Sequence, residues 1–166
     1  MPQALNILLK RFFLLVLSMF LFASTASAVD VVKKYIREYR PLVKRLSAEY
    51  GIPISVITAI SIVESGAGKS KNCKLLNNHF GIIGKNKLKK QGIKTRFKQY
   101  EDAEASFKDF CEMVKRKKYY KKLQGNVNYI PWLDAMAKSG YSTQPAAWKK
   151  MISNAIKKYK LDAANN

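Results

Sequence analysis

The sequence predicts an α+β domain that is mostly helical, with a small β-hairpin lobe set into its middle. Three observations predict it. Apolar residues recur at helical spacing near one end (Val32, Tyr35, Ile36, Tyr39, Leu42, Val43, Leu46, Tyr50). They do so again near the other (Trp148, Met151, Ile152, Ala155, Ile156, Tyr159). Between them, residues 82–100 lose that spacing, become rich in Lys and Gly, and alternate weakly in "TRFKQY".

The first 28 residues stand apart from this domain. They carry basic residues (Lys10, Arg11), an apolar run from Phe12 to Phe22 and the small-residue pattern Ala26-Ser27-Ala28. That order predicts a secretory signal peptide, with the mature chain beginning near Val29 and ending at 166. The apolar core is about half the ~20 residues of a spanning helix. The uncharged run continues to Val29, so an uncleaved anchor is the alternative. No Cys follows the run, which argues against a lipid anchor. Export places the protein in the periplasm, the cell envelope or outside the cell.

In the domain, Pro41 kinks the first helical segment or restarts it. Gly51 closes that segment and Pro53 opens the next, Ile54 to Glu64. This second helix is apolar nearly all round, so it belongs at the centre of the core. Gly66 and Gly68 end it, and a short basic helix or turn follows around Lys69 to Leu76. After the lobe, helical spacing resumes at Phe107, Phe110, Cys111 and Val114. Two shorter helical pieces are expected around Lys118 to Leu123 and Pro131 to Ser139, ahead of the last helix.

The whole chain carries a formal charge of +20, and loss of Lys10 and Arg11 with the leader leaves +18 on 138 residues. Such an excess predicts a polyanionic partner. In an exported chain the abundant polyanions are wall and envelope polymers, so nucleic acid is not expected. The runs "KRKKYYKK" (115–122) and "KKYK" (157–160) are solvated helix faces or patches that attract those polymers. Two cysteines, Cys73 and Cys111, permit one disulfide in such a compartment. Cys111 also falls on an apolar stripe, where a buried thiol is the alternative. His79 is the single histidine and no Cys or His pair has ligand spacing, so no metal and no cofactor are expected. The chain is expected to act as a monomer.

One residue stands out chemically. Between Tyr50 and Tyr100, Glu64 is the single acidic residue among ten Lys and Arg. It closes an apolar helix, where desolvation raises a carboxyl pKa and suits a general acid. Ser65-Gly66-Ala67-Gly68 beside it keeps bulky side chains away. The alternative is a glutamate paired with a lysine or solvated at a helix end, which the helix dipole mildly disfavours. Glycosidic bonds are cleaved by such an acid, usually with a second carboxylate. The next along the chain are Glu101, Asp102 and Glu104, in a cluster that equally well caps a helix.

Four segments in order carry a family resemblance: "GIPISVITAISIVESGAGKS", "NNHFGIIG", "TRFKQYEDAEASFKDF" and "SGYSTQPAAWKKMISNAIKKY". Together they resemble the endo-β-N-acetylglucosaminidases of glycoside hydrolase family 73, over essentially the whole mature chain. The resemblance implies a lysozyme-like fold, with a helical lobe and a small β lobe flanking a glycan cleft. It implies hydrolysis of the β-1,4 bond between N-acetylglucosamine and N-acetylmuramic acid in peptidoglycan. Glu64 then matches the family's general acid, and Tyr141 a tyrosine near the cleaved bond. Asn77 to Ile82 matches the segment beside the cleft, with Phe80 and Gly81 at its aromatic-glycine pair and His79 in the wall. Were the substrate's acetamido group to assist the displacement, Asn78 or Tyr141 would orient it. Phe80, Tyr100, Trp132 and Trp148 are candidate sugar-stacking surfaces.

The sequence departs from the family pattern in one respect. Many relatives carry a second carboxylate on the strand after "FGI", whereas "GKNKLKKQGIKTRFKQY" holds none. Glu101, Asp102 or Glu104 would have to reach the cleft, or the acetamido group would assist the displacement. Other readings are a lytic transglycosylase or muramidase on the same fold, and a non-catalytic cationic wall-binding protein. A cationic membrane-disrupting protein and a Cys/His peptidase have less in the residues to favour them.

Overall fold

The computed structural model describes residues 30–165, and the leader expected over residues 1–28 lies outside them. The chain divides between Lys34 and Tyr35, and of the N-terminal unit the described residues 30–34 are helical. In the unit from Tyr35 onward, the first helix (α1) continues to residue 50. It buries Tyr35, Val43, Leu46 and Tyr50, one stripe at helical spacing. The helix runs through Pro41, which is exposed, and is continuous there rather than restarted. Gly51 ends it in the left-handed region (φ +63°). A Cβ there would stand 2.8 Å from Gln124 Cγ and 2.9 Å from Gly125 N, so conformation and space both require glycine.

Helix α2 (Ile54–Ser65) starts after Pro53 and is buried at Ser55 through Ile62 and at Ser65. A helix without a polar face is stable where other elements surround it. Helices α6 (Tyr129–Lys138) and α7 (Pro145–Tyr159) and the 3-10 turn Asp162–Asn165 pack on it. The expected last-helix stripe is narrower than its spacing suggests: Trp148, Ile152, Ala155 and Ile156 are buried, but Met151 is exposed. Between these lie α3 (Lys71–Leu76), α4 (Ala103–Lys115) and α5 (Tyr120–Leu123). Ser70 caps α3 by accepting from Cys73 N–H, and Asp102 caps α4 by accepting from Ala105 N–H.

The expected β-hairpin is corrected to something less regular. Among the described residues there is one antiparallel bridge, Ile83 with Phe97, and no strand. Three backbone bonds flank it: Gly84 N–H to Arg96 O, Lys98 N–H to Ile82 O and Gln99 N–H to Lys85 O. Side chains take the partners a longer ladder would use. Asn86 Nδ2 donates to Thr95 O and Phe97 O, and Gln99 Oε1 accepts from Lys87 N–H. A lysine-rich segment with few β-branched residues is held as a loop stitched by amides, with a 3-10 turn at Leu88–Gln91.

The expected disulfide is also corrected. Cys73 and Cys111 are free and buried in separate neighbourhoods. Cys73 lies on α3 near Ser65 and Tyr35, and Cys111 on α4 near Glu112 and Tyr120. His79, expected in the cleft wall, is instead buried with its Nδ1 2.7 Å from Tyr35 Oη and its ring against Tyr39 and Phe107.

Candidate active site

Glu64 is the penultimate residue of α2, and the turn that follows is pinned from below. Ser65 Oγ donates to Ser61 O at 2.6 Å and accepts from Gly68 N–H at 2.9 Å. Gly66 in the left-handed region sends its N–H back to Ile62 O. These bonds fix the end of α2, and with it the stem of Glu64. Its carboxylate is fixed separately: Trp148, near the start of α7, donates its indole N–H to Glu64 Oε1 at 2.9 Å.

The second oxygen faces the lobe. A Cβ built on Gly81 would lie 3.5 Å from Glu64 Oε2 and 3.9 Å from Phe97 Cε1. With hydrogen there, Oε2 keeps an approach that a side chain would line. Tyr141, in the loop before α7, completes the group. Its ring lies 5.0 Å from that of Trp148, and its hydroxyl makes a long 3.4 Å contact to Phe80 O.

Burial raises the Glu64 pKa above the ordinary carboxylate value, and the indole hydrogen bond offsets part of that rise. Glu64 is therefore suited to hold a proton where most glutamates have lost it. Burial, with the nearby Glu64 charge, pushes the Tyr141 phenol well above its usual value, so it stays a neutral hydrogen-bond donor. The group thus places Oε2 of a raised carboxyl beside Gly81, with a loosely held O–H at Tyr141.

The structure brings Glu64, Gly81 and Tyr141 together and gives the other expected residues different work. Asn78 is 2 % exposed. Its Nδ2 donates to Ile82 O and Lys98 O, and its Oδ1 accepts from Phe80 and Ile82 N–H. Both N–H groups are committed to shaping the lobe, so orienting an acetamide is not its role here. Phe80 is buried and stacked on Phe110, with centroids 4.2 Å apart. Trp132 is buried and donates to Asn126 O. Tyr100, at 8 % exposure, donates to Asp109 Oδ2, which Lys98 also binds. Burial raises Asp109, but those two bonds together with the Lys98 and Arg116 charges outweigh it and hold its pKa below the usual value. Phe80, Trp132 and Trp148 are too buried to offer a ring face to a sugar.

The candidate second carboxylates lie outside this group. Asp102 caps α4, and Glu104 pairs with Arg45 at 2.6 Å. Glu101 lines a cavity of about 540 Å³ with Tyr100, Lys85 and Asn86, and Glu64 is not in its wall. Two contributors escape a reading of spacing alone. Trp148 falls on a core stripe, and nothing there reports that its N–H reaches the acid. Phe97 is marked only by the weak alternation of "TRFKQY", yet it stands beside Gly81.

The family model described as mannosyl-glycoprotein endo-beta-N-acetylglucosaminidase, the glucosaminidase family, matches residues 40–161. The chain is 29% identical over 187 aligned positions to the exo-glucosaminidase LytG of Bacillus subtilis (strain 168), covering 95% of this chain and 66% of that protein. It therefore spans just under two thirds of that relative's length. The fold is similar to the catalytic domain of the autolysin Auto from Listeria monocytogenes, with TM-score 0.64 and 21% identity over 80% of this chain and 86% of that one. It is also similar to the glycoside hydrolase domain of FlgJ from Salmonella typhimurium, with TM-score 0.63 and 19% identity over 80% and 91% of the two chains. With a family match spanning α2, the lobe and α7, the chain belongs to the glucosaminidase family of glycoside hydrolases and has that family's mostly helical, lysozyme-like fold.

Proposed function

We propose that this chain is an exported peptidoglycan hydrolase that cleaves the β-1,4 bond between N-acetylglucosamine and N-acetylmuramic acid, with Glu64 as general acid. The observation that carries this reading is the pair of unequal carboxylate oxygens: Oε1 bonded to Trp148 and Oε2 open beside Gly81. In the reaction, Glu64 Oε2 gives its proton to the glycosidic oxygen as the bond to the anomeric carbon breaks. Tyr141 donates its O–H to the sugar held against Glu64. The leader and the positive charge of the mature chain support export to a compartment of anionic polymers.

One observation favours a second reading, a lytic transglycosylase. Asp102 caps α4, Glu104 pairs with Arg45 and Glu101 lines a cavity without Glu64 in its wall, so none of the candidate second carboxylates stands with Glu64. Substrate assistance by the acetamido group is the corresponding route for a hydrolase.

The test is to digest purified peptidoglycan with the protein and with Glu64→Gln, reduce the products with borohydride and identify their ends by mass spectrometry. Reduced N-acetylglucosamine ends that vanish in the variant are expected. Reduced muramic acid ends would indicate a muramidase, and 1,6-anhydro ends a transglycosylase. No new ends from the folded wild-type protein would make it a wall-binding protein instead. Release of single sugars rather than long fragments would align it with the exo-acting relative.

A further inference from the structure

We propose that Trp148 is a positioning residue: its indole N–H fixes Oε1 of Glu64 as an acceptor, so that the transferable proton sits on Oε2, facing Gly81. The inference rests on Glu64 being the acid. It adds which oxygen acts and which residue decides it.

The indole N–H is a donor only, so the oxygen 2.9 Å away must accept from it. In a neutral carboxyl group the carbonyl oxygen is the stronger acceptor. The bonded Oε1 is therefore the carbonyl, and the hydroxyl falls on Oε2. Trp148 holds this arrangement because it cannot easily move. It is 3 % exposed, α7 packs along α2, and the Tyr141 ring lies 5.0 Å away. An indole also brings no charge. A lysine at the same place would hold the carboxylate ionised and remove the acid from service.

The groups around Glu64 leave the indole as its immediate polar partner. On the cleft side stands Tyr141, with Tyr100 and Tyr119 near it, all raised chiefly by burial and neutral in the working range. Behind Tyr100, Lys98 and Asp109 are paired with each other. On the far side of the α2 terminus lie Tyr35, Cys73 and His79, around Ser65. On α7, Lys149 is paired with Asp134 and Lys150 is exposed. Burial holds His79 at about 4, so its protonation is a second titration that the test must separate from that of Glu64.

The chain provides its own reporter. It has two tryptophans, and Trp132 donates its indole N–H to the Asn126 carbonyl, which does not titrate. In the 15N-labelled protein, the Trp148 indole resonance is expected to shift in one step as Glu64 ionises, at a midpoint above the ordinary glutamate range. The Trp132 resonance stays flat, and Glu64→Gln abolishes the Trp148 step. Trp148→Phe removes a donor that favours the ionised form. The alkaline limb of kcat then moves up by about one pH unit. With the carboxyl group no longer fixed, kcat falls about 10- to 100-fold while KM changes little.

A flat Trp148 resonance in the wild-type protein would overturn the proposal. So would a step that persists in Glu64→Gln, since it would then report His79. A Glu64-dependent step in a folded protein that releases no new product ends would overturn the proposed activity while supporting the placement of the proton.

Discussion

Replacing Gly81 with alanine separates what this glycine does for the fold from what the proposed function has it do for Glu64. Gly81 has φ +65°, where an L-residue is strained by about 1–2 kcal/mol. The added methyl would lie 3.5 Å from Glu64 Oε2 and 3.9 Å from Phe97 Cε1, ordinary contacts that require nothing to move. The stability cost is therefore the strain alone, about 3–7 °C in Tm for a domain of this size. Activity should suffer far more. A glycosidic oxygen must come within about 2.6–3.2 Å of the donating oxygen. A carbon already seated against Oε2 fills that approach. What is lost is the general-acid contribution, about 100- to 10,000-fold in kcat.

The assay is release of reducing ends from peptidoglycan at a temperature well below the Tm of either protein, beside thermal unfolding of both. Gly125→Ala is the control. Gly125 has φ +82° and open space around it, so it carries similar strain far from Oε2. The expected result is a similar Tm loss in both variants, with turnover lost only in Gly81→Ala. Gly81→Ala turnover within threefold of wild type would refute the claim that the substrate approaches Oε2 past Gly81. Equal activity loss in both variants would refute the separation of strain from access.

Two further outcomes follow from buried groups. Burial holds the His79 pKa at about 4, against roughly 6.5 in an unfolded chain. Below the unfolded value the denatured state takes up a proton that the native state refuses. Stability is thus lost as pH falls from about 6.5 towards 4, by at most about 3 kcal/mol. Glu64, raised rather than lowered, contributes the opposite slope, so the measurement is the difference in Tm between pH 7 and 4.5 for wild type and His79→Gln. A smaller acid loss in His79→Gln is expected, and an unchanged loss would refute it. Burial likewise raises Cys73 to about 11 and Cys111 higher still, so neither thiol should react with a disulfide reagent until the chain unfolds. Two thiols titrating in denaturant, and a Tm indifferent to reductant, are expected; no thiols in denaturant would restore the disulfide.

The helices were legible because burial imposes a period on the sequence. Tyr35, Val43, Leu46 and Tyr50 announce α1, and an uncharged run between Gly51 and Val63 announces a central α2. Glu64 draws notice for the same reason: one charge at the end of such a run requires an explanation. Spacing reports where a Cβ points and not where the tip of a long side chain ends. Hence Trp148 registers as core, which its ring is, while the one polar atom that matters reaches a residue 84 positions away. The stacking candidates failed in the same way, since Phe80 and Trp132 are aromatic because the core is. The lobe was misjudged for a different reason. Its backbone is organised by Asn78 and Asn86, whose amides bind carbonyls 4 to 20 residues away. Such bonds leave no periodic trace.

The charge pattern around Glu64 is the one the proposed acid would require. The segment between Tyr50 and Tyr100 carries ten cations, and any of them placed against Glu64 would lower its pKa and keep it ionised. Among the described residues the ion pairs are Arg45 with Glu104, Lys98 with Asp109 and Lys149 with Asp134, and Glu64 is in none of them. Two features keep it so. The neighbouring turns of α2 are uncharged, so no lysine reaches Glu64 from its own helix. Across the group, a buried indole occupies the position from which a cation would otherwise bind Oε1. A chain can thus keep a strongly positive surface and still hold one carboxyl above its ordinary pKa, provided that a neutral donor takes the place of a charged one beside it.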